Sequence, residues 1–232
     1  MNPIEAINPE GKHRIELIRK EIKTLRITVY SATGRIVVTA PKNMEEQKIW
    51  SFVEAKMPWI KQKLSKTALI EPKPDLSYTS GEYHRLEGKN YRLEVIEGNF
   101  INRISVVSDT IQLQVQPGTS MLRRKDLLEA LYRQRLGQRM QSIAIRWQQI
   151  MGVKADEWRI KKMKTRWGSC NIKAKRININ LELAKKSDEC LEYIIVHELG
   201  HFFERYHNAI FYGVMDKYLP DWKKRKQDLN EA

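Results

Sequence analysis

Cys170 and Cys190 are the only cysteines in the 232 residues. A disulfide framework is therefore excluded as the source of stability, and a reducing cytoplasm is the expected compartment. Apolar runs are short: stretches such as Tyr193-Ile194-Ile195-Val196 fall far below the roughly 20 residues that cross a bilayer, so no membrane span is expected. Residues 1–12 lack the apolar core of a secretory signal. Neither an internal repeat nor a low-complexity stretch is evident, and no Gly-rich phosphate loop is present.

Positive charge is abundant. Forty-two Lys and Arg against 28 Asp and Glu leave a formal charge of +14. Such an excess attracts polyanions, whether nucleic acid, nucleotides or anionic surfaces, although a merely solvated face has the same composition. Residues 159–176 hold eight basic side chains and no acidic one, among them Lys164 and Arg166. A second group comprises Arg123, Arg124, Lys125, Arg133, Arg135 and Arg139, and a third runs from Lys223 to Lys226.

Hydrophobic periodicity orders the elements. Residues 25–30 and 35–40 alternate as two strands of a hairpin joined at residues 31–34. Asn43, with Glu46 three residues on, predicts a capped helix start, with Ile49, Phe52, Val53, Trp59, Ile60 and Leu64 buried. Glu71-Pro72-Lys73-Pro74-Asp75 reads as a stiff linker, so the expected division is 1–70, a linker over 71–80, and a main domain over 81–232. Short strands follow at residues 91–95, 104–107 and 111–115, then a helix from about 122 to 151 stopped by Gly152. An extended segment near 158–163, a loop at 167–170 and a strand around 177–181 precede a helix started by Ser187.

That last helix carries His197-Glu198-Leu199-Gly200-His201. Residues four apart share a helical face, so two imidazoles can meet one ion. Glu198, one position round, stands beside a water on that ion and can take its proton during attack on a carbonyl. A catalytic zinc keeps three protein ligands and one open position. His207 is the expected third, six residues past His201, which is the metzincin spacing with Glu204 where metzincins place Gly. Glu204 is the rival, but ligands at 197, 201 and 204 would spread over roughly 10 Å of helix axis, too far for bonds near 2 Å. Gly200 gives up about 1 kcal/mol of helix propensity, which either room for a neighbouring backbone or close packing explains.

Lys164-Thr165-Arg166-Trp167-Gly168-Ser169-Cys170 lies about thirty residues earlier and reads alone as a turn with a basic approach. Together with Ile177-Asn178-Ile179-Asn180, the metal motif, His207, Phe211, Leu219-Pro220-Asp221-Trp222-Lys223 and the opening hairpin followed by Trp59-Ile60, it makes the chain resemble the YgjP-like metallopeptidases. These are relatives of the SprT-like and WLM zinc peptidases. The resemblance implies an α+β fold with a zincin-like, minigluzincin-type core, in which a short antiparallel sheet covers the metal-binding helix. It also implies one zinc ion per chain on His197, His201 and His207, with Glu198 as catalytic acid/base. Gly200 departs from the Cys or Ala frequent at that place, and Leu131 from a common Trp.

Three functions compete. The leading one is an intracellular zinc metallopeptidase whose basic surface (Lys164, Arg166, Trp167 and Ser169 as anion- or substrate-binding candidates) holds an anionic partner such as nucleic acid. The second is a metal-dependent hydrolase of nucleoside triphosphates, whose developing phosphate charge those cations would meet. The third is a basic nucleic-acid-binding protein with a structural metal, for which four closed ligands including Cys are the rule.

Overall fold

A computed structural model describes residues 4–7, 14–30, 34–68, 76–99 and 101–231. The chain divides into two compact units, Met1–Asp75 and Leu76–Ala232. The expected linker residues 71–75 lie outside the described residues, and 76–80 belong with the second unit, where Ser77 and Tyr78 N–H groups donate to the Glu82 carboxylate.

The first unit contains β1 (Ile4–Ile7), β2 (Arg14–Lys20), β3 (Arg26–Tyr30), β4 (Arg35–Pro41) and α1 (Glu46–Ala68). The predicted hairpin is present as β3 and β4, paired antiparallel from Arg26↔Thr39 to Tyr30↔Arg35. Of its expected turn only Gly34 is described, in the left-handed region at φ 66. Alternation sends Ile15, Leu17, Ile36, Val38 and Ala40 to one face, and they pack with Ile49, Val53, Met57 and Ile60 of α1. Each of the Ile, Leu, Val and Met side chains contributes about 1.5–3 kcal/mol through burial.

Two expectations for α1 need correction. The helix begins at Glu46, because the chain first turns at residues 41–44, where the Met44 N–H donates to the Pro41 carbonyl. Trp59 is 41% exposed and Phe52 only half-buried outside the core, and Met57 lies instead on the buried stripe at 49, 53, 57 and 60. Those positions follow the helical period, whereas Trp59 sits one residue off it.

The second unit opens with β5 (Tyr83–Leu86), β6 (Lys89–Glu97), β7 (Arg103–Val107), β8 (Thr110–Val115) and α2 (Met121–Met151). Its sheet order, β5-β6-β8-β7, repeats the β1-β2-β4-β3 order of the first. In both, the central pair is parallel and the flanking pairs antiparallel, so the additional strands are not all antiparallel as expected. The registers correspond: Ile15 faces Ile36, and Leu93 faces Ile111. Arg14-Ile15-Glu16-Leu17-Ile18 then matches Arg92-Leu93-Glu94-Val95-Ile96. The chain therefore does contain a repeated ββββα unit, hidden because the shared residues are few and lie in a short strand.

α2 matches its prediction closely. Ser120 Oγ accepts from the Arg123 N–H, Gly152 closes the helix in the left-handed region, and Leu128, Leu131, Tyr132, Leu136, Met140 and Trp147 are buried. β9 (Glu157–Lys161), β10 (Gly168–Asn171) and β11 (Arg176–Asn180) follow. Trp167-Gly168-Ser169-Cys170 is therefore not a loop beyond Trp167, since Gly168 to Asn171 pair with residues 176–179. This sheet is mixed, β10 being antiparallel and β9 parallel to β11. After a 3-10 turn (Leu181–Lys185) come α3 (Asp188–Gly200), α4 (Ala209–Tyr218) and α5 (Trp222–Glu231). α3 packs against α2, α4, α5 and β10, so the α+β class is present and a small sheet does lie against the histidine-bearing helix, although that sheet is mixed where an antiparallel one is expected. Among the described residues no helix is long and apolar enough to cross a membrane.

Candidate metal centre

α3 is apolar on nearly every side, with Cys190, Leu191, Tyr193, Ile194, Ile195, Val196 and Leu199 all buried. It starts after Ser187 as expected, with Asp188 and Glu189 in its first turn, although the Ser187 side chain caps no helix N–H. One carboxylate fixes its place among the other helices: Glu192 accepts from Arg146 and Trp147 Nε1 of α2 and from Arg225 of α5.

At the far end His197 and His201 share a face, with ring centroids 5.1 Å apart and planes perpendicular. The helix stops there in a run of short-range bonds, Phe202 N–H to the Leu199 carbonyl and Phe203 N–H to the Gly200 carbonyl, each 3.0 Å. The chain then doubles back. The Glu204 carboxylate accepts the Tyr206 N–H at 2.9 Å, and Asn208 Oδ1 accepts the Phe211 N–H at 3.1 Å, starting α4. This reversal returns the exposed His207 to within 4.8 Å of the His197 ring centroid and 4.9 Å of that of His201. One nitrogen from each of the three lies within 4.8 Å of the others, and neither Glu204 nor a cysteine joins the cluster.

These residues fit a divalent cation. Four-coordinate zinc with bonds of 2.0–2.1 Å places donor nitrogens about 3.3 Å apart. The Nε2 atoms of His197 and His207 stand 3.0 Å apart, so their lone pairs need a shared proton or a cation between them. His201 Nδ1 lies 3.1 Å from the Glu204 carbonyl; an N–H donated there leaves Nε2 as the acceptor, the tautomer fixing common behind metal-bound histidines. Burial first, then the neighbouring His201 and His207, lowers His197 to about 3, and burial lowers His201 as well. Both imidazoles are thus held neutral, the form that binds metal.

Phe211 forms the floor. Fully buried, it places its ring centroid 5.0, 4.8 and 4.8 Å from those of His197, His201 and His207. Gly200 makes room for it, since a Cβ there would meet Phe211 Cε2 at 3.2 Å. The neighbour that this glycine accommodates is a side chain rather than a backbone.

Glu198, in the same cleft, lies against Gly168 of β10. It is 4% exposed, and burial pushes its carboxyl up to about 8 against the opposing charge of Arg166. Its Oε2 has no hydrogen-bond partner among the described residues. Gly168 is what lets β10 lie against it: a Cβ there would stand 2.5 Å from Glu198 Oε1. Asn180, itself buried, ties down the approach to β10. Its Nδ2 donates to the Met163 and Arg166 carbonyls at 2.8 Å each, while its Oδ1 accepts from the Met163 and Glu182 N–H groups.

A cleft of about 800 Å³ opens over the cluster, and Arg166, Trp167, Ser169, Glu198 and all three histidines line it. Lys164 is exposed and lies outside that lining. Ser169 Oγ accepts from Asn178 Nδ2, and the Cys170 thiol, raised to about 11 by burial and then by Glu198, also faces the cleft. Sequence reasoning assigned no role to Gly168, Asn180 or Phe211, although each stands in a stretch shared with the resembled family. Arg205 and Asn230 also stand in the lining without any local signal in the sequence, and Lys226 joins them from the third basic group.

The second basic group has a structural use. Arg124 pairs with Glu97, Arg135 with Glu87 and Arg139 with Asp188, while Arg133 donates to the Ile160 carbonyl.

No functionally curated protein matches the chain. Among solved structures it is similar to the metallopeptidase zymogen abylysin of Pyrococcus abyssi, at 22% identity and a TM-score of 0.36 over 38% of this chain and 89% of that one. It is similar to the same degree, 22% and 0.36, to the metallopeptidase zymogen jannalysin of Methanocaldococcus jannaschii, over 40% of this chain and 94% of that one. The YgjP-like, metallopeptidase domain family matches residues 23–232, a span that takes in most of the first unit as well as the whole histidine cluster and β10. By that match the chain belongs to the YgjP-like metallopeptidases.

Proposed function

We propose that the chain is a zinc-dependent peptidase, with His197, His201 and His207 holding one zinc ion and Glu198 acting as general base. The observation that carries this is three converging imidazoles beside a buried carboxylate with an unpartnered oxygen. A neutral three-histidine donor set suits zinc or a similar borderline ion better than the oxygen-seeking Mg or Mn. When bound, the ion supplies a Lewis acid that polarises a carbonyl and makes water nucleophilic near neutral pH.

The rest is the work of this chain's side chains. Glu198 Oε2 receives the proton of the attacking water and passes it to the departing amide nitrogen. Burial, even against the nearby Arg166, would leave the carboxyl half protonated near pH 8, whereas a dication at the histidines favours the carboxylate that a base requires. Gly168 and the β10 backbone hold that carboxylate in place, and Phe211 shuts water out beneath the imidazoles. The same cleft favours peptide over a structural role for the metal, because three ligands leave a position open and no cysteine closes it. Zinc analysis of the wild-type chain and of Glu198→Gln, with turnover of an unfolded protein, tests the proposal. Equal zinc with turnover lost in the variant supports it; turnover retained removes Glu198 as the base.

A further inference from the structure

The cleft walls carry charge of one sign. Arg166, Lys173, Arg205 and Lys226 line it, and Glu198 is the only acidic residue that does. The four come from separate places: Arg166 and Lys173 flank β10, Arg205 sits in the turn between α3 and α4, and Lys226 lies on α5. All four are exposed. Several other basic residues of this unit are held in ion pairs outside the cleft lining. Arg124, Arg135, Arg139, Arg146, Arg176 and Arg225 each meet a carboxylate. Among the described residues, none of the four cleft cations forms an ion pair. Arg205 and Lys226 rest only over the rings of Tyr206 and Trp222.

Unpaired cations around a cleft focus potential into it and select anionic ligands. The aromatic lining discriminates between kinds of anion. Single-stranded nucleic acid needs open aromatic faces for its bases. Here Tyr193 is buried and Trp167 is half-buried with the Lys186 ammonium over its ring, so neither offers a free face. We infer that the cleft is a subsite for acidic peptide segments, in which Arg205 and Lys226 on the histidine side and Arg166 and Lys173 on the β10 side receive Asp or Glu side chains flanking the bond to be cut. This inference rests on the peptidase reading for its substrate class, but its binding can be measured separately.

Matched peptides with a common apolar centre and Glu, Gln or Lys flanks are titrated calorimetrically into full-length, zinc-loaded Glu198→Gln protein. The same peptides are offered to the wild-type chain for cleavage. An exposed ion pair changes affinity by up to about fivefold, so two of them favour the Glu-flanked peptide over the Gln-flanked one on the order of tenfold, an advantage lost at high salt. Arg205→Glu with Lys226→Glu should reverse the order toward the Lys-flanked peptide. Both positions are exposed, and Lys173→Glu provides a second charge reversal should the double variant melt early. Equal binding of the three peptides, or an order unmoved by the reversals, overturns the inference. If neutral peptides are cleaved all the same, the peptidase reading survives that loss. Preferential, reversal-sensitive binding of the Glu-flanked peptide without cleavage by the wild-type chain leaves the subsite standing and removes the peptidase reading instead. A nucleoside triphosphate that displaces every peptide and is itself hydrolysed also overturns the inference, since the occupant would then be a phosphate.

Discussion

Gly168→Ala is a one-methyl perturbation aimed at the proposed base. The new Cβ would lie 2.5 Å from Glu198 Oε1, 2.8 Å from Cγ and 2.9 Å from Cδ. Ordinary non-bonded contacts begin near 3.5 Å, so about 1 Å of movement must come from the carboxylate or from β10. β10 has little freedom, because its register with β11 is fixed from Gly168↔Ile179 to Asn171↔Arg176 and Asn180 holds the approach to it. The carboxylate must therefore shift. Overpacking of this kind costs about 1–3 kcal/mol of stability, and a 1 Å misplacement of a reacting group costs about a hundredfold in rate. The three atoms nearest the new Cβ all belong to Glu198 and none to a histidine, so zinc content should stay near wild type while kcat/KM falls about a hundredfold. Turnover on an unfolded protein substrate, metal analysis and thermal melting measure the three quantities. Wild-type turnover in a normally folded Gly168→Ala protein would refute the placement of Glu198 as base; lost zinc would show that β10 supports the histidines instead.

Asn180→Asp puts a carboxylate oxygen where Nδ2 now donates to two carbonyls, and should cost about 2–4 kcal/mol in denaturant melts together with most of the activity; a near-neutral result would mean that these bonds do not hold the loop. Phe211→Ala empties the fully buried floor beneath the imidazoles, for an expected loss of about 3–5 kcal/mol and weaker zinc retention under chelator competition. Unchanged zinc retention would reduce Phe211 to ordinary core. His84, buried under the Tyr78 ring, is held below its ordinary 6.5 by burial against the opposing pull of Glu82. The unfolded chain therefore takes up a proton as pH falls through 6.5 while the folded one does not, so stability is full above that pH and declines below it. His84→Leu should flatten the fall of melting temperature between pH 6.5 and about pH 5, and an unaltered slope would assign the acid sensitivity elsewhere.

Elements with strong periodicity were legible in the sequence. α2 is legible through apolar residues recurring at three- and four-residue intervals and through Gly152, and β6, β7 and β8 through alternation between polar turns. β5 was not, because Tyr83-His84-Arg85-Leu86 has too few apolar positions to show a period. β10 looks like a loop in sequence because Gly, Ser, Cys and Asn have little strand preference; pairing to β11 overrides that, a long-range effect local sequence does not carry. Trp59 misled through its size, when position on the helical period decides burial. At the site, the i, i+4 histidines could be read from spacing alone, and His207 only through the distance it must return. What holds them, the Phe211 floor and the Gly168 contact, links residues from separate elements and becomes visible only when these are packed together.

X-ray absorption at the zinc edge of the purified, zinc-loaded chain tests the ion's coordination most directly. Three imidazole nitrogens and one further light atom at about 2.0 Å are expected, falling to two imidazoles in His207→Ala. A sulfur shell near 2.3 Å, or only two imidazoles in the wild-type protein, would contradict the three-histidine site.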